Sequence, residues 1–597
     1  MRANDLVEHW DDDPDGGRET LARQPDTVGA AIASAGAAAP VHAVLDDAAV
    51  CFAVQGANGA ILWTDARFAS WVGADFQSLS RRDGPISFEL VDQSGRAPVL
   101  VATVARRTAI DWTLPPAAAT ALGQPQASRL LAAVWSGGSE LHLTRAGAAF
   151  GLTGLEARIV AALIIAGDLR AAAARARVSY GTARVALKSA MTKAGARRQS
   201  VLVARIARAA AAPVAAGDEA ACLRDMFGLS LREARLAADL AAGLTRAEAA
   251  AAAGISEALA KDALNRVFRR LHVKNAAQLS RLCVEARAMA ALARPSRGKI
   301  VVNLSQHEPL QFIPRPDGTF IAISDFGPQA GWPAMLLHQV TMTRYPSRPL
   351  LAALQAAGFR PITIDRPGYG LTDLAHAASD DPFADAADDM ALTANALRLA
   401  QVDIIARTGA HVALAFARRH SARTRRVVLL SPDPLLSASG KRSGVFGVLK
   451  DILVRHPVWI EPLARLMASQ ATPARVTANL ERALRDSPAD AAVMREPGNI
   501  EDYQRGVLML ATGQLTGMVR EQRAFSLASP PEPLPCAKEW RVLIGAQDPI
   551  SAHEDMSDYW RRLLPGAVFD FVVDGGRFLH LSHLPLVMAA LGPPPAR

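Results

Sequence analysis

Two groups of residues in this chain have the types and spacing to do chemistry. The first runs from Ser179 to Arg198 in SYGTARVALKSAMTKAGARR. Tyr180, Thr182 and Arg184 open a helical stretch that Ser179 can cap, and Lys188, Lys193, Arg197 and Arg198 follow. Hydroxyl and guanidinium groups at a helix N-terminus can reach base edges, and basic side chains behind them can hold phosphates. The second group surrounds VDIIARTGAHVALAFARRH, Val402 to His420, where an apolar strand turns sharply into a helix with small residues on one side. Such a turn can present a nucleophilic serine, yet no serine is there.

The elements that must position the first group are helical. Thr153 and Glu156 have capping-box spacing, and Ile159, Val160, Leu163 and Ile164 recur at helical period after them. A short alanine-rich helix follows, then the Ser179-capped third helix through Ala183, Leu187 and Met191. That order lets a third helix lie in a DNA major groove. Between Gly151 and Ala212 there are eleven Lys or Arg and two Asp or Glu, a surplus of nine that equals the net charge of +9 for the whole chain. A compact basic segment is the electrostatic footprint of a phosphate-binding module.

The pattern then repeats. Leu152, Glu156, Ser179, Leu187 and Leu202 return 77 residues later as Leu229, Glu233, Ser256, Leu264 and Leu279, which marks a duplicated module. In the second copy Leu259 stands where the first has Thr182, and Glu257 and Asp262 accompany Lys261, Asn265, Arg266, Arg269 and Arg270. Carboxylates facing phosphates weaken binding, so this copy is expected to grip DNA less strongly or to partner the first. The first unit resembles the LuxR-type helix-turn-helix in its Leu152-Thr-x-x-Glu156 opening, its Ser179-x-x-Thr182-x-Arg184 helix and its Lys193-x-Gly-x-x-x-Gln199 close. The resemblance implies a transcription regulator with double-stranded DNA and RNA polymerase as partners. Its candidate DNA contacts are Ser179, Tyr180, Thr182, Arg184, Lys188, Lys193, Arg197 and Arg198, with Lys261, Asn265 and Arg266 from the second unit. Family members usually bind as dimers, so homo-oligomerisation, or a dimer mimicked within one chain, is expected.

Around the second group, strands such as VVNL, TFIAISDF, PAMLLHQV, RPITIDRP, VDIIAR, RRVVLLSP, WRVLIGAQD and VFDFVVDGG alternate with helices, which argues for a mostly parallel sheet. The segment from about 435 to 529 interrupts the alternation as a helical lid. The region resembles the α/β-hydrolase fold through Asp365-Arg-Pro-Gly-Tyr-Gly370, Leu337-His338, Gly545-Ala-Gln-Asp548 and Gly575-Gly576-Arg577-Phe-Leu. Taken position by position, the resemblance implies a degenerate triad. The register preferred for the turn puts Arg407 at the nucleophile, and a register shifted by one puts Thr408 there. Arg577 stands at the histidine, Asp548 at the acid and Gln339 at the oxyanion-loop glycine. An arginine neither attacks a carbonyl nor takes a proton from a hydroxyl at neutral pH. If Asp548 pairs with one of the two arginines, a surplus positive charge remains, and a small anionic ligand held by a guanidinium fork is expected. The candidate ligand residues are His338, Gln339, Arg407, Thr408, Asp548 and Arg577. A closed salt-bridge network filling a dead site is the other outcome these residues allow.

The remaining chain has fewer signals. Residues 1–41 combine an acidic start with AAIASAGAAAP and read as a mobile arm. Residues 42–146 give a β-β-α-β-β-β order that resembles a PAS sensory domain, with a dimerisation domain of the same layout as the other reading. Cys51, Cys222, Cys283 and Cys536 have no metal-ligand spacing, so neither a metal nor a disulfide framework is expected. No cofactor is implied. Neither a leader's apolar core nor a run of about 18 apolar residues occurs, and a cytoplasmic protein without a membrane partner is expected. The expected architecture is multidomain: arm, α+β PAS-like domain, all-α tandem helix-turn-helix units at 147–212 and 218–290, and an α/β-hydrolase-like domain with a helical lid at 298–597. The expected function is DNA-binding regulation with the hydrolase-like domain catalytically inactive. Its rivals are an active ester or amide hydrolase using Thr408, and an interaction scaffold that binds no DNA.

Overall fold

The computed structural model describes residues 14–38, 44–46, 49–73, 85–91, 98–110, 112, 114–211, 219–293, 301–303, 308–435, 454–471, 473–485, 487–512, 514–535 and 537–595. The chain folds as two compact units, Pro40–His307 and the pair of segments Met1–Ala39 and Glu308–Arg597.

In the first of these, β1 (Val50–Gly56), β2 (Ile61–Thr64), β3 (Ile86–Val91), β4 (Val99–Ala105) and β5 (Ala127–Val134) form an antiparallel sheet in the order β2-β1-β5-β4-β3. The central strands are rich in Val, Leu and Ala and are buried nearly throughout. The part of the expected third strand beyond Val91 lies outside the described residues.

Two sets of four helices follow: α1 (Gly154–Ala166), α2 (Leu169–Arg175), α3 (Tyr180–Lys193) and α4 (Gln199–Ala211), then α5 (Leu231–Ala241), α6 (Arg246–Ala252), α7 (Glu257–Arg270) and α8 (Ala276–Ala293). Each helix of the second set starts 77 residues after its counterpart. Capping boxes at Thr153/Glu156, Ser230/Glu233 and Thr245/Glu248 explain where α1, α5 and α6 begin, because each satisfies two backbone donors that a helix start leaves open. Ser179 and Ser256 cap α3 and α7.

The fourth helices, α4 and α8, pack together, and contacts around them are reciprocal. Arg198 donates to the Gly243 carbonyl, and Asn275, its counterpart 77 residues on, donates to the Gly167 carbonyl at 2.8 Å. A Cβ on Gly243 would meet Val201, and a Cβ on Gly167 would meet Gln278, again a counterpart pair. Gly167 stands one residue past Ala166, the 77-residue counterpart of Gly243, so each copy meets the same turn of the other, the reciprocity of a two-fold interface. Here both halves belong to one chain. The helix α8 also joins the sheet domain: Glu285 accepts from the Ser136 amide (2.8 Å) and hydroxyl (2.7 Å), while Arg281 donates to Glu285 and to the Pro98 carbonyl (2.8 Å), all buried.

The other unit is built on an eight-stranded sheet of β6 (Leu310–Pro314), β7 (Phe320–Asp325), β8 (Trp332–Leu337), β9 (Phe359–Ile364), β10 (Val402–Ala406), β11 (Thr424–Leu430), β12 (Trp540–Gly545) and β13 (Val568–Val572). The order is β13-β12-β11-β10-β8-β9-β7-β6, with β7 antiparallel to its neighbours and the other pairings parallel. Helix α9 (Ala410–Arg419) follows β10 and buries Ala410, Ala413 and Ala417. Helices α10 (Ile460–Gln470), α11 (Pro488–Met494) and α12 (Pro497–Thr512) belong to the expected lid; its first part, residues 436–453, lies outside the described residues.

The N-terminal arm is corrected by the structure. Pro14–Arg23 and Pro25–Ala38 are helices, the second packs against α10, and Val28 and Ile32 are 2% and 1% exposed. Gly29 gives the close approach, since a Cβ there would lie 2.5 Å from the Trp459 ring. Its alanine-rich composition hid the helix because tertiary packing, more than periodicity, defines it. Residues 1–13 and 39–41 of the arm lie outside the described residues.

Candidate functional site

On the helical region, α3 buries Ala183, Ala186, Leu187 and Ala190 and exposes Tyr180, Thr182, Arg184 and Lys188. Ser179 is exposed, and its hydroxyl takes the Thr182 amide at 3.0 Å. The Arg170 guanidinium stacks on the Tyr180 ring at 5.1 Å. Arg197 is also exposed. Two of the expected phosphate contacts are engaged internally instead. Lys193 binds Glu156 at 2.7 Å, and Arg198 reaches the second unit at Gly243 and Glu248. Charge count alone could not separate these from free cations, because their acceptors are 37 and 50 residues away in sequence. In α7, Lys261 and Asn265 are exposed, Arg266 pairs with Glu233 at 3.0 Å, and Glu257 is drawn to Arg246 at 2.6 Å.

In the sheet unit, residues converge at the C-terminal ends of β8, β10, β11 and β12. Arg407 and Thr408 lie in the turn between β10 and α9, 6% and 4% exposed. Gly409 is required there, since a Cβ would sit 2.7 Å from the Leu337 Cβ. The Val340 amide donates to the Thr408 hydroxyl at 2.8 Å, and the Arg407 Nη2 donates to the Gln339 side chain. His338 is buried; its Nδ1 meets the Gln339 carbonyl at 2.8 Å and its Nε2 accepts from the Arg366 amide at 3.3 Å. Burial and the nearby Arg366 charge hold its pKa well below the ordinary value, so the ring is neutral.

Arg577 is held by two carboxylates. Its Nη1 donates to Asp548 at 3.1 Å and its Nη2 to Asp433 at 2.7 Å. Burial opposes its charge, but Asp433 and Asp548 prevail and raise its pKa further. A third carboxylate, Asp490 of α11, accepts the Arg577 and Phe578 amides at 2.6 and 2.8 Å. Gly576 makes that approach feasible, because a Cβ there would meet the Asp490 carboxylate at 2.2 Å. Arg407 receives no such partner: its Nε and Nη1 are buried without a hydrogen bond.

Residues 333–584 match the model of the alpha/beta hydrolase fold family. The C-terminal domain has an α/β-hydrolase fold. Among solved structures, this chain is similar to an alpha/beta hydrolase fold protein from Chitinophaga pinensis at 17% identity, over 47% of this chain and 94% of that one, with a TM-score of 0.34. It is similar to carboxylesterase CesB from Bacillus subtilis at 17% identity, 47% and 90% coverage and a TM-score of 0.32. A Rhodococcus esterase gives 18% identity, 48% and 100% coverage and a TM-score of 0.32. Comparison with curated proteins gives no match.

Within this hydrolase domain the two registers for the nucleophile turn can be compared. Both side chains reach the loop after β8, Thr408 through the Val340 amide and Arg407 through the Gln339 side chain, and the Arg407 guanidinium also lies 5.7 Å from the Phe578 ring. Among the described residues, the non-glycine positions of positive φ are Arg177, His272, Arg398 and Ser431, so neither Arg407 nor Thr408 has the strained geometry that exposes a nucleophile. The surplus charge expected beside Asp548 is also redistributed. Asp433, which the sequence reading missed, supplies a second carboxylate to Arg577, and Arg407 is the cation left over. Its signal was present: an acid directly after the apolar strand RRVVLLSP stands where ligands of parallel sheets are met. His580 lines the same cavity as Arg407, and burial together with that charge pushes its pKa down to about 3. His583 pairs with Asp574 at 3.1 Å. Among the described residues no cluster of metal-binding type occurs, and no helix is long and apolar enough to cross a membrane.

Proposed function

We propose that this chain is a transcription regulator that binds double-stranded DNA, and that its hydrolase domain senses a ligand or contacts a protein without hydrolysing an ester. The observation that carries the reading is the face of α3. A serine-capped helix, third in its unit, holds Tyr180, Thr182, Arg184 and Lys188 in solvent while its other face is buried, which suits insertion into a major groove. The LuxR-like reading is supported by the repeat of all four helices, and the reciprocal contacts around α4 and α8 support one chain doing what a dimer does elsewhere. The PAS-like reading of the first domain is supported by its strand order, in which the first and last strands pair at the centre. Loss of hydrolysis is supported by Arg577 in place of a base and by the unstrained turn at Thr408.

Genome-wide mapping of bound sites, followed by anisotropy titration on those fragments, tests the regulator. Replacing Arg184 and Lys188 together with alanine is expected to abolish specific binding. Lys188→Ala alone should make the slope of log K against log salt shallower by about one. Unchanged affinity in the double variant sinks the assignment.

A second reading has one observation in its favour. The Thr408 hydroxyl faces the Val340 amide, the arrangement of a nucleophile beside an oxyanion donor. Ester hydrolysis that disappears in Thr408→Ala would establish it.

A further inference from the structure

Between the ends of β8 and β10 and the lid lies a cavity of about 100 Å³. Leu336, Met342, Leu430, Met494, Phe578 and Leu581 make much of its wall apolar. Its charged residues are otherwise matched: Arg344 binds Asp365 at 2.6 Å and Glu308 at 2.9 Å, and Asp502 is bound by Arg348 at 2.7 Å. Arg407 is the exception. It is 6% exposed and lines the cavity, and Gln339 takes one proton of its Nη2, while Nε and Nη1 bond to nothing. Nη2 carries a proton on each edge of the guanidinium plane, so one edge keeps its full pair of parallel donors. A buried cation with an unused fork is costly unless an anion completes it. The strain is legible in its acidity, since burial and the neighbouring Arg577 push the Arg407 pKa down to about 10.

We infer that Arg407 is the recognition residue for a short-chain monocarboxylate, whose carboxylate takes the free guanidinium edge and whose alkyl tail lies against Leu430, Met494 and Leu581. The size argues for a small acid: a cavity of about 150 Å³ holds six carbon atoms as benzene, so about four heavy atoms, the size of acetate, fit here. The inference rests on the reading of the domain as a non-catalytic ligand site.

The test is calorimetric titration of the full chain with acetate and with acetamide, which matches it in size and lacks the charge. Acetate is expected to bind at least about tenfold more tightly than acetamide, a discrimination lost in Arg407→Met. Equal affinities, or no heat with acetate, would overturn the inference. The comparison of the two ligands on the unaltered protein holds even if Arg407→Met fails to fold. A parallel assay with an acetate ester separates the two levels. Absence of both binding and hydrolysis rejects the carboxylate site alone, and hydrolysis lost in Thr408→Ala rejects the non-catalytic reading beneath it.

Discussion

Glu156 shows how one residue can fasten a whole unit. Its carboxylate accepts the Thr153 amide at 2.7 Å, the Ser189 hydroxyl at 2.6 Å and the Lys193 ammonium at 2.7 Å, so it starts α1 and ties it to α3. Burial raises its pKa, but the bonds from Lys193, Ser189 and Thr153 prevail and hold it at about 2, below the ordinary 4.5. A carboxylate depressed in the folded state adds stability above its unfolded pKa and loses it as pH falls through the folded one. The helical region should therefore weaken between pH 4.5 and about 2, and Glu156→Gln should lower stability at neutral pH while flattening that acid limb. Circular dichroism melts across this range check both. A variant with the same acid limb as the parent would contradict the assignment.

At the scale of elements, the turn into α9 is set by a missing side chain. Gly409 has φ −75°, which any residue adopts, so its requirement is space and not backbone freedom. Gly409→Ala should cost about 1–3 kcal/mol through overpacking against the Leu337 Cβ, and in a double-mutant cycle Leu337→Gly, which removes that atom, should couple favourably with it while Leu337→Ala, which keeps it, should not, as measured by denaturant unfolding. The elements themselves were largely legible. Each capping box stands in the sequence as a Thr or Ser followed three residues later by Glu, and the sheet was announced by alternating strands and helices. The site was legible only in part. Arg407, Thr408, Asp548 and Arg577 could be placed from their loops, yet Asp433 and Asp490 reach Arg577, and Met494 reaches the cavity beside Arg407, from segments whose local pattern says nothing of their neighbours. The internal partners of Lys193 and Arg198 were hidden for the same reason, because an ion pair depends on distance in space.

At the scale of the molecule, the Arg281–Glu285 pair binds the helical region to the sheet domain inside one unit. Glu285→Ala leaves a buried guanidinium without its counter-charge and should destabilise that unit by about 3–5 kcal/mol, while Arg281→Met with Glu285→Leu removes both charges and should cost less, about the 1–3 kcal/mol of leaving the Ser136 amide and the Pro98 carbonyl unpaired. Equilibrium unfolding of the two variants beside the parent distinguishes an electrostatic joint from simple packing. If the single change costs no more than the double one, the joint is packing.

The reciprocal contacts between the two helical copies have a consequence for inheritance. In a homodimer one substitution in the reading helix appears twice, and the target must change in both halves at once. Here each copy has its own codons, and where the first has Arg184 the second, 77 positions on, has Lys261. Evolution could thus alter one half of the target without the other. On the proposed DNA-binding reading, oligonucleotides selected by this protein from a random pool should be lopsided, with strong preference under α3 and weak preference under α7. A perfect palindrome would show that the copies have not parted.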